Sequence, residues 1–227
     1  MSRPLRLVIF DVDGTLVDSQ NDILAAMRAG FAGVGEQAPE TAAILGIVGL
    51  SLDVAVAQLA PHLPTDTRAR IVAGYKAAYM GLRAEVGAAQ SSPLYPHARA
   101  TLEALHRVPE TLLGVATGKS ARGLDKLLDG HDLRPYFVTR QVADHHPSKP
   151  HPSMIRAALA ETGVAPQNAV MVGDTSFDME MARAAGITGI GVSWGYHPPE
   201  ALGAAARIVE DFRDLAGVLE DIWSGVR

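Results

Sequence analysis

The sequence predicts an α/β fold, a doubly wound parallel sheet carrying an inserted α-helical cap. Three observations predict it. From Leu94 onward helical and strand signals alternate, the pattern that specifies a parallel sheet covered by helices on both faces. A short apolar run, Leu5 to Phe10, supplies a further strand from the far end of the chain. Between the two, from about Asp18 to Ser92, lies a stretch with helical periodicity and no strand signal. The expected organisation is therefore a Rossmann-like core of residues 1–17 and 93–227, with residues 18–92 as the cap.

Taken in order, Leu5 to Phe10 reads as a strand, with an apolar run from Leu7 to Phe10 that stops at Asp11. In the cap, Asp18 or Ser19 can N-cap a helix whose stripe is Ile23, Leu24, Met27 and Phe31. Ser51 and Thr65 can cap two more, and Ile71, Tyr75, Tyr79 and Leu82 form a second stripe. Helical spacing of bulky residues usually means core, so the two stripes are expected to pack together, with Tyr75, Tyr79 and Leu82 lining a substrate pocket as the alternative. The linkers are Leu16 to Ser19 and Ser91 to Pro96. Helices then follow near His97 to Arg107, Ser120 to Asp129, Pro152 to Thr162, Ser176 to Ala185 and Asp211 to Trp223. The strands between them are Thr111 to Ala116, Tyr136 to Thr139, Ala169 to Val172 and Gly189 to Val192.

Composition narrows the chemistry. The 227 residues are 48% apolar and contain no cysteine, which excludes a disulfide framework, a thiol nucleophile and a thiolate zinc site. A formal charge of −5 with scattered Lys and Arg argues against nucleic-acid binding. No stretch approaches the length of a membrane span, and the N-terminal apolar run is too short for a signal peptide, so the expected location is cytoplasmic with no membrane partner. The eight histidines include the neighbours His145 and His146, but none has helical metal-ligand spacing, and solvation is the better account of them.

Four polar sites fall where expected strands end: Asp11 with Asp13, Thr117, Lys149, and Asp174 with Asp178. In open α/β sheets ligands bind beyond the carboxyl ends of the strands, so these residues can converge. The most specific segment is Asp11-Val12-Asp13-Gly14-Thr15, whose informative positions would match by chance on the order of once in a thousand such chains. Turn chemistry accounts for Gly14 and Thr15. It does not account for carboxylates two positions apart, which repel unless a cation or a shared proton holds them. A hard cation such as Mg2+ takes one or two protein carboxylates together with a substrate phosphate, and Asp11 and Asp174 suit that role. Asp174 also stands at a helix start, where capping is the competing account.

Lys149 lies in a Pro-rich loop, His146 to Pro152, that can hold an ammonium as a point charge. Thr117 and Gly118 end a strand before a helix start and offer a hydroxyl and backbone N–H groups to an anion, with Ser120 available as a cap. Gly118-Lys119-Ser120 is not a P-loop, because the required upstream glycine is Leu113. Trp194 and Tyr196 follow a strand end and either border the site or pack the domain edge. Gly46 to Ser51 reads equally as a substrate loop or as a helix break.

With those motifs in that order, the chain resembles the haloacid dehalogenase-like hydrolase superfamily, in particular its phosphatases with a helical cap after the first motif. Val192 to Tyr196 looks like phosphoglycolate phosphatase-type sequences, whereas Pro96-His97 departs from the usual Pro-Gly. The resemblance implies a Mg2+-dependent phosphatase acting on a small phosphorylated metabolite, as a monomer or homodimer. Asp11 would be the nucleophile and Asp13 the general acid and base. Thr117, Gly118 and Lys149 would bind the phosphoryl group. Asp11, Asp174 and the Asp13 backbone carbonyl would hold the metal, with Asp178 supporting them. Members that displace halide lack a carboxylate matching Asp13, so dehalogenation is disfavoured. A phosphosugar mutase and a catalytically silent phospholigand-binding protein remain the alternatives.

Overall fold

The computed structural model describes residues 4–225. Its centre is a six-stranded, all-parallel sheet in the order β3-β2-β1-β4-β5-β6. The strands are β1 (Arg6–Phe10), β2 (Thr111–Thr117), β3 (Phe137–Val142), β4 (Ala169–Gly173), β5 (Thr188–Val192) and β6 (Arg207–Val209). The expected doubly wound core is therefore present, and β1 is its middle.

β1 shows why this sequence makes a buried parallel strand. Val8 and Phe10 pack into the apolar layer on one face of the sheet, and Leu7 and Ile9 into the layer on the other. All four side chains are fully buried, each worth about 1.5–3 kcal/mol of transfer free energy. Helices α6 (Ala98–His106), α7 (Ala121–Gly130) and α10 (Leu215–Ser224) cover the Val8 face through Leu102, Leu124, Leu127 and Leu219. On the Leu7 face lie α8 (Ser153–Thr162) and α9 (Ser176–Ala185), contributing Met154, Ile155 and Met181.

Between β1 and β2 the chain forms a helical segment of α1 (Gln20–Ala32), α2 (Thr41–Leu45), α3 (Leu52–Leu59), α4 (Thr65–Val86) and α5 (Ala88–Ser91). Ile23, Met27 and Phe31 of α1 meet Ile71 and Val72 of α4 in a separate apolar cluster. The two crossings into this segment run side by side. The Asp18 N–H donates to Pro93 O at 2.9 Å, and the Tyr95 N–H to Leu16 O at 3.0 Å.

Several local expectations are corrected. β3 extends to Val142, beyond the expected Thr139, because an edge strand buries alternate residues and leaves Val138 and Arg140 in solvent. β6 was not anticipated; it has only three residues, and Arg207 and Ile208 are exposed. Ser19 occupies the N-cap position of α1 but makes no cap hydrogen bond. Ser51 likewise precedes α3 without capping it through its side chain, and Thr65 is the first residue of α4, after Pro64. His97 adopts φ +65°, a left-handed conformation that glycine enters without steric cost.

Candidate active site

The strand order reverses between β1 and β4: the chain runs outward through β2 and β3, then crosses back to β4, β5 and β6. This topological switch opens a crevice beyond the carboxyl ends of the two central strands. Asp11 follows β1 there and Asp174 follows β4.

The structure brings Asp11, Lys149, Asp174 and Asp178 into direct proximity, all at least 98% buried. One oxygen of each of the three carboxylates lies within 4.8 Å of the others. Lys149 Nζ is 2.9 Å from Asp11 Oδ1 and 2.6 Å from Asp178 Oδ1. The contact to Asp11 is an ion pair without hydrogen-bond alignment, and both Asp11 oxygens lack a hydrogen-bond partner.

The other two carboxylates are bonded. Asp174 accepts from the Thr15 hydroxyl at 2.8 Å and from the Tyr196 N–H at 2.9 Å. Asp178 accepts from Lys149 and, through its other oxygen, from the Thr175 N–H at 3.1 Å and hydroxyl at 2.7 Å. Thr175 in turn caps α9, so the capping box that starts this helix also fixes the partner of Lys149. Gly14 lets the chain bend over this cluster. Its φ is +81°, and a Cβ there would lie 2.2 Å from an Asp174 oxygen.

Electrostatics follow from this crowding. Burial raises the Asp11 carboxyl to about 7; Lys149 opposes the rise, and Asp178 and Asp13 add to it. Asp174 is raised for the same first reason, reinforced by Asp178 and Asp11. Burial also works against the Lys149 charge, but Asp11 and Asp178 outweigh it and hold the ammonium above its ordinary value.

Asp13 stands apart from that cluster. Its Oδ1 accepts from the Ser19 hydroxyl and pairs with Lys119 Nζ at 2.8 Å. Lys119 also donates to the Tyr79 hydroxyl at 3.1 Å. The Tyr196 hydroxyl accepts from the Ser19 N–H at 3.0 Å, which ties the β5 side of the sheet to the first crossing. Thr117 ends β2 and is 1% exposed; its oxygen accepts from the Lys119 N–H at 3.2 Å.

A cavity of about 570 Å³ opens onto this arrangement, with Asp11, Asp13, Thr117 and Gly118 on its wall. Lys149, Asp174 and Asp178 are not on its wall and adjoin Asp11. Its far wall comes from the helical segment, including Tyr75, Tyr79 and Arg83 of α4 and the loop from Ile47 to Ser51. Tyr75 and Tyr79, read as core by their spacing, stack on each other at 5.7 Å and face this cavity.

The Gly46 to Ser51 loop rests on the sheet half at three points. The Ser51 N–H donates to the Ser148 hydroxyl at 2.9 Å. His197 Nδ1 accepts from the Ser176 N–H, so its Nε2 carries the hydrogen and donates to Gly46 O at 3.1 Å. Gly118 meets the loop backbone so closely that a Cβ there would lie 2.5 Å from Leu50 O.

Sequence reasoning missed the roles of Ser19 and Lys119 beside Asp13 and the contact from Thr15 to Asp174. Lys119 and Thr15 carried a signal, since Lys119 adjoins a motif residue and Thr15 lies in a motif. Ser19 read only as a helix cap, and Tyr196, which borders the site as one of its two readings, meets Ser19 from across the fold.

The donor set fits a hard divalent cation. Three buried carboxylates face a single ammonium, and Asp11 keeps two oxygens free of hydrogen bonds.

Comparison with known proteins gives this site a context. Residues 8–192 match the family model of the haloacid dehalogenase-like hydrolases. A probable phosphatase, IndB, of Dickeya dadantii is 34% identical, covering 93% of this chain and 92% of that protein. Phosphoglycolate phosphatase of Vibrio parahaemolyticus is 29% identical, covering 88% and 89% respectively. Among solved structures, a haloacid dehalogenase-like hydrolase from Streptococcus pneumoniae superposes with TM-score 0.81 at 26% identity, over 94% of this chain and 98% of that one. The β-phosphoglucomutase of Clostridium difficile has TM-score 0.83 at 18% identity, covering 97% and 98%, a likeness of fold alone. The chain belongs to the haloacid dehalogenase-like hydrolases. Within that family it is an enzyme of the phosphatase type.

Proposed function

We propose that the protein is a Mg2+-dependent phosphatase for a small phosphorylated metabolite of the phosphoglycolate kind, acting in the cytoplasm through an aspartyl-phosphate intermediate. The observation that carries this reading is Asp11: a buried carboxylate on the cavity wall, unpartnered at both oxygens, with a lysine ammonium 2.9 Å away. Lys149 favours the ionised form of this carboxyl against the effect of burial, and its oxygens are free to attack.

An Asp11 oxygen attacks phosphorus in line, the P–O ester bond breaks, and Asp13 donates its proton to the leaving oxygen. Asp13 then takes a proton from water as that water attacks phosphorus, which releases phosphate and restores Asp11. Ser19 and Lys119 position Asp13 through its Oδ1. Thr117 and the Gly118 N–H, on the cavity wall, bind the phosphoryl oxygens; Lys149, paired with Asp11, adds its positive charge beside them, and Asp178 positions Lys149. Asp11, the Asp13 carbonyl and Asp174 would hold Mg2+, which when bound supplies positive charge that lets an anionic nucleophile approach an anionic ester. The helical segment 18–92 serves as a cap that excludes bulk water from the cleft. Asp13 separates this chemistry from halide displacement, which needs no acid for its leaving group.

The test is phosphate release from phosphoglycolate, pyrophosphate, and nucleotide and sugar monophosphates, with Mg2+ or EDTA. The expected result is Mg2+-dependent release that Asp11→Asn lowers by at least about a thousandfold, with loss of the aluminium fluoride complex detected by mass. Normal turnover in that variant would overturn the assignment.

A further inference from the structure

The loop that carries Lys149, from His146 to Pro152, does little to hold itself. Pro147, Pro150 and Pro152 take three N–H groups out of it. Among the described residues one backbone hydrogen bond lies within it, from the His151 N–H to Ser148 O at 3.1 Å. Lys149 has a flexible stem that can reach one point from many backbone positions. The two carboxylates it touches therefore do not by themselves fix the loop.

A chain of polar side chains that the reaction does not use meets this loop at its base. Thr139 and Gln141 of β3 are buried, and both bond Glu161 of α8. Gln141 Nε2 donates to Glu161 at 2.9 Å and to the Thr139 hydroxyl at 2.8 Å. The amide is thereby oriented, because its oxygen in that place would be repelled by the Glu161 carboxylate. Gln141 Oε1 is left facing His146 Nε2 at 2.8 Å. An amide oxygen can only accept, so His146 Nε2 carries the hydrogen, and Nδ1 of the neutral ring accepts from the Ser153 hydroxyl at 2.8 Å. Burial and then His145 lower the imidazole below its ordinary value, against Glu161, which favours that neutral form.

His146 opens the loop, and Ser153, the first residue of α8, directly follows it. One imidazole therefore ties both ends of the loop to β3. The sequence reads this histidine as solvated, yet it is half-buried. A network that served only to dock α8 on β3 would be complete with Thr139, Gln141 and Glu161, and would need no imidazole from the loop.

We infer that His146, locked in one tautomer between Gln141 and Ser153, is a positioning residue that sets where Lys149 places its ammonium beside Asp11. Its effect on turnover rests on the phosphatase reading. Placement matters there, since a displacement of about 1 Å at a reacting centre can lower a rate about a hundredfold.

The experiment pairs kinetics with chemical labelling of lysine. His146→Phe keeps a ring and removes both nitrogens, Ser153→Ala removes the hydroxyl, and Ser153→Thr retains it. With Mg2+ and the substrate released fastest, His146→Phe should lower kcat about tenfold to a hundredfold and Ser153→Ala up to about tenfold, each with KM within about twofold, while Ser153→Thr stays near wild type. Acetylation by acetic anhydride, read by mass, should reach Lys149 about tenfold faster in the first two variants, because its burial then yields to easier local opening. Lys76, Lys119 and Lys126 should react as before. Thermal unfolding checks that the variants fold; if His146→Phe does not, the two Ser153 variants carry the test, since this residue is half-buried at a helix start. In an active enzyme both changes are required. Either one without the other, a loss expressed in KM alone, or faster labelling of all four lysines overturns the clasp and leaves the phosphatase reading standing. If wild-type enzyme releases no phosphate from any substrate, the phosphatase reading falls and the labelling alone decides the clasp.

Discussion

The sheet half and the helical half of this molecule present different groups to one cavity. Beyond β1 and β4, the sheet half buries Asp11, Lys149, Asp174 and Asp178 in a cluster of charges fixed by Thr15, Thr175 and the start of α9. The helical half packs Ile23, Met27, Phe31, Ile71 and Val72 with no charge among them and presents Tyr75, Tyr79 and Arg83 to the cavity. Buried charges must be matched atom by atom, or their desolvation is not offset. Apolar packing tolerates exchange of one residue for another of similar volume. The difference assigns reaction chemistry to the sheet half, where little can change, and substrate choice to the helical half, where much can.

That division can be broken or sharpened experimentally. The largest effect after loss of Asp11 should come from Asp13→Asn, which removes the proposed general acid and base and should lower kcat by about a hundredfold to ten-thousandfold. Because the reaction chemistry is assigned to the sheet half, this loss should be similar for every substrate. A loss confined to one substrate would erase the distinction. Mg2+ binding, followed by calorimetry, should survive, since the backbone carbonyl remains.

Gly118→Ala probes the seam between the halves. The added Cβ would meet Leu50 O and Gly49 O at 2.5 and 2.6 Å, both backbone atoms with little room to move. The loop from Gly46 to Ser51 should be pushed off the sheet, at a cost of up to about a hundredfold in kcat/KM. Unchanged kinetics would mean that the seam does not close during turnover.

Metal and pH test the sheet half alone. Burial raises the Asp11 carboxyl to about 7 and raises Asp174 as well. A carboxyl raised in the folded state contributes stability that is present below its unfolded value and is lost as pH rises through the folded one. The metal-free protein should therefore unfold at lower temperature at pH 8 than at pH 5. Mg2+ competes with those protons, so it should restore more at pH 8. At a hundred times its dissociation constant the ion adds about 2.7 kcal/mol, or about 5–10 °C in a chain of this size. Stabilisation larger at pH 5 would exclude these carboxylates as the ligands.

The smallest effect lies where the helical segment rejoins the sheet. His97→Gly relieves a left-handed residue at φ +65° and should raise stability by about 1 kcal/mol, with kinetics unchanged. A change in kcat/KM would show that the conformation at this junction is coupled to the cavity.

Much of this molecule was readable in its sequence because the decisive signals are local. The apolar run that becomes β1, the alternation of later strands and helices, and Asp11 to Thr15 are each properties of a few consecutive residues. A parallel strand buried on both faces has to be apolar throughout, so Leu7 to Phe10 could be little else. The strand ends then fixed where Asp11, Thr117 and Asp174 must lie. Where burial is partial the local signal fails, as in β6 and the outer part of β3, whose exposed residues break the apolar pattern.

Only the tertiary structure decided which polar groups meet. Ser19 reads as a helix cap, yet its hydroxyl serves Asp13. Tyr196 lies 177 residues from Ser19 along the chain and bonds its N–H. Tyr75, Tyr79 and Arg83 share one helix, and periodicity left the two tyrosines between a core and a pocket; they pack against the helical core and, where the sheet half approaches, also form a cavity wall. Hydrogen bonds and ion pairs act over a few ångströms between atoms that chain folding alone brings together, whereas apolar burial leaves its trace in the order of the residues themselves.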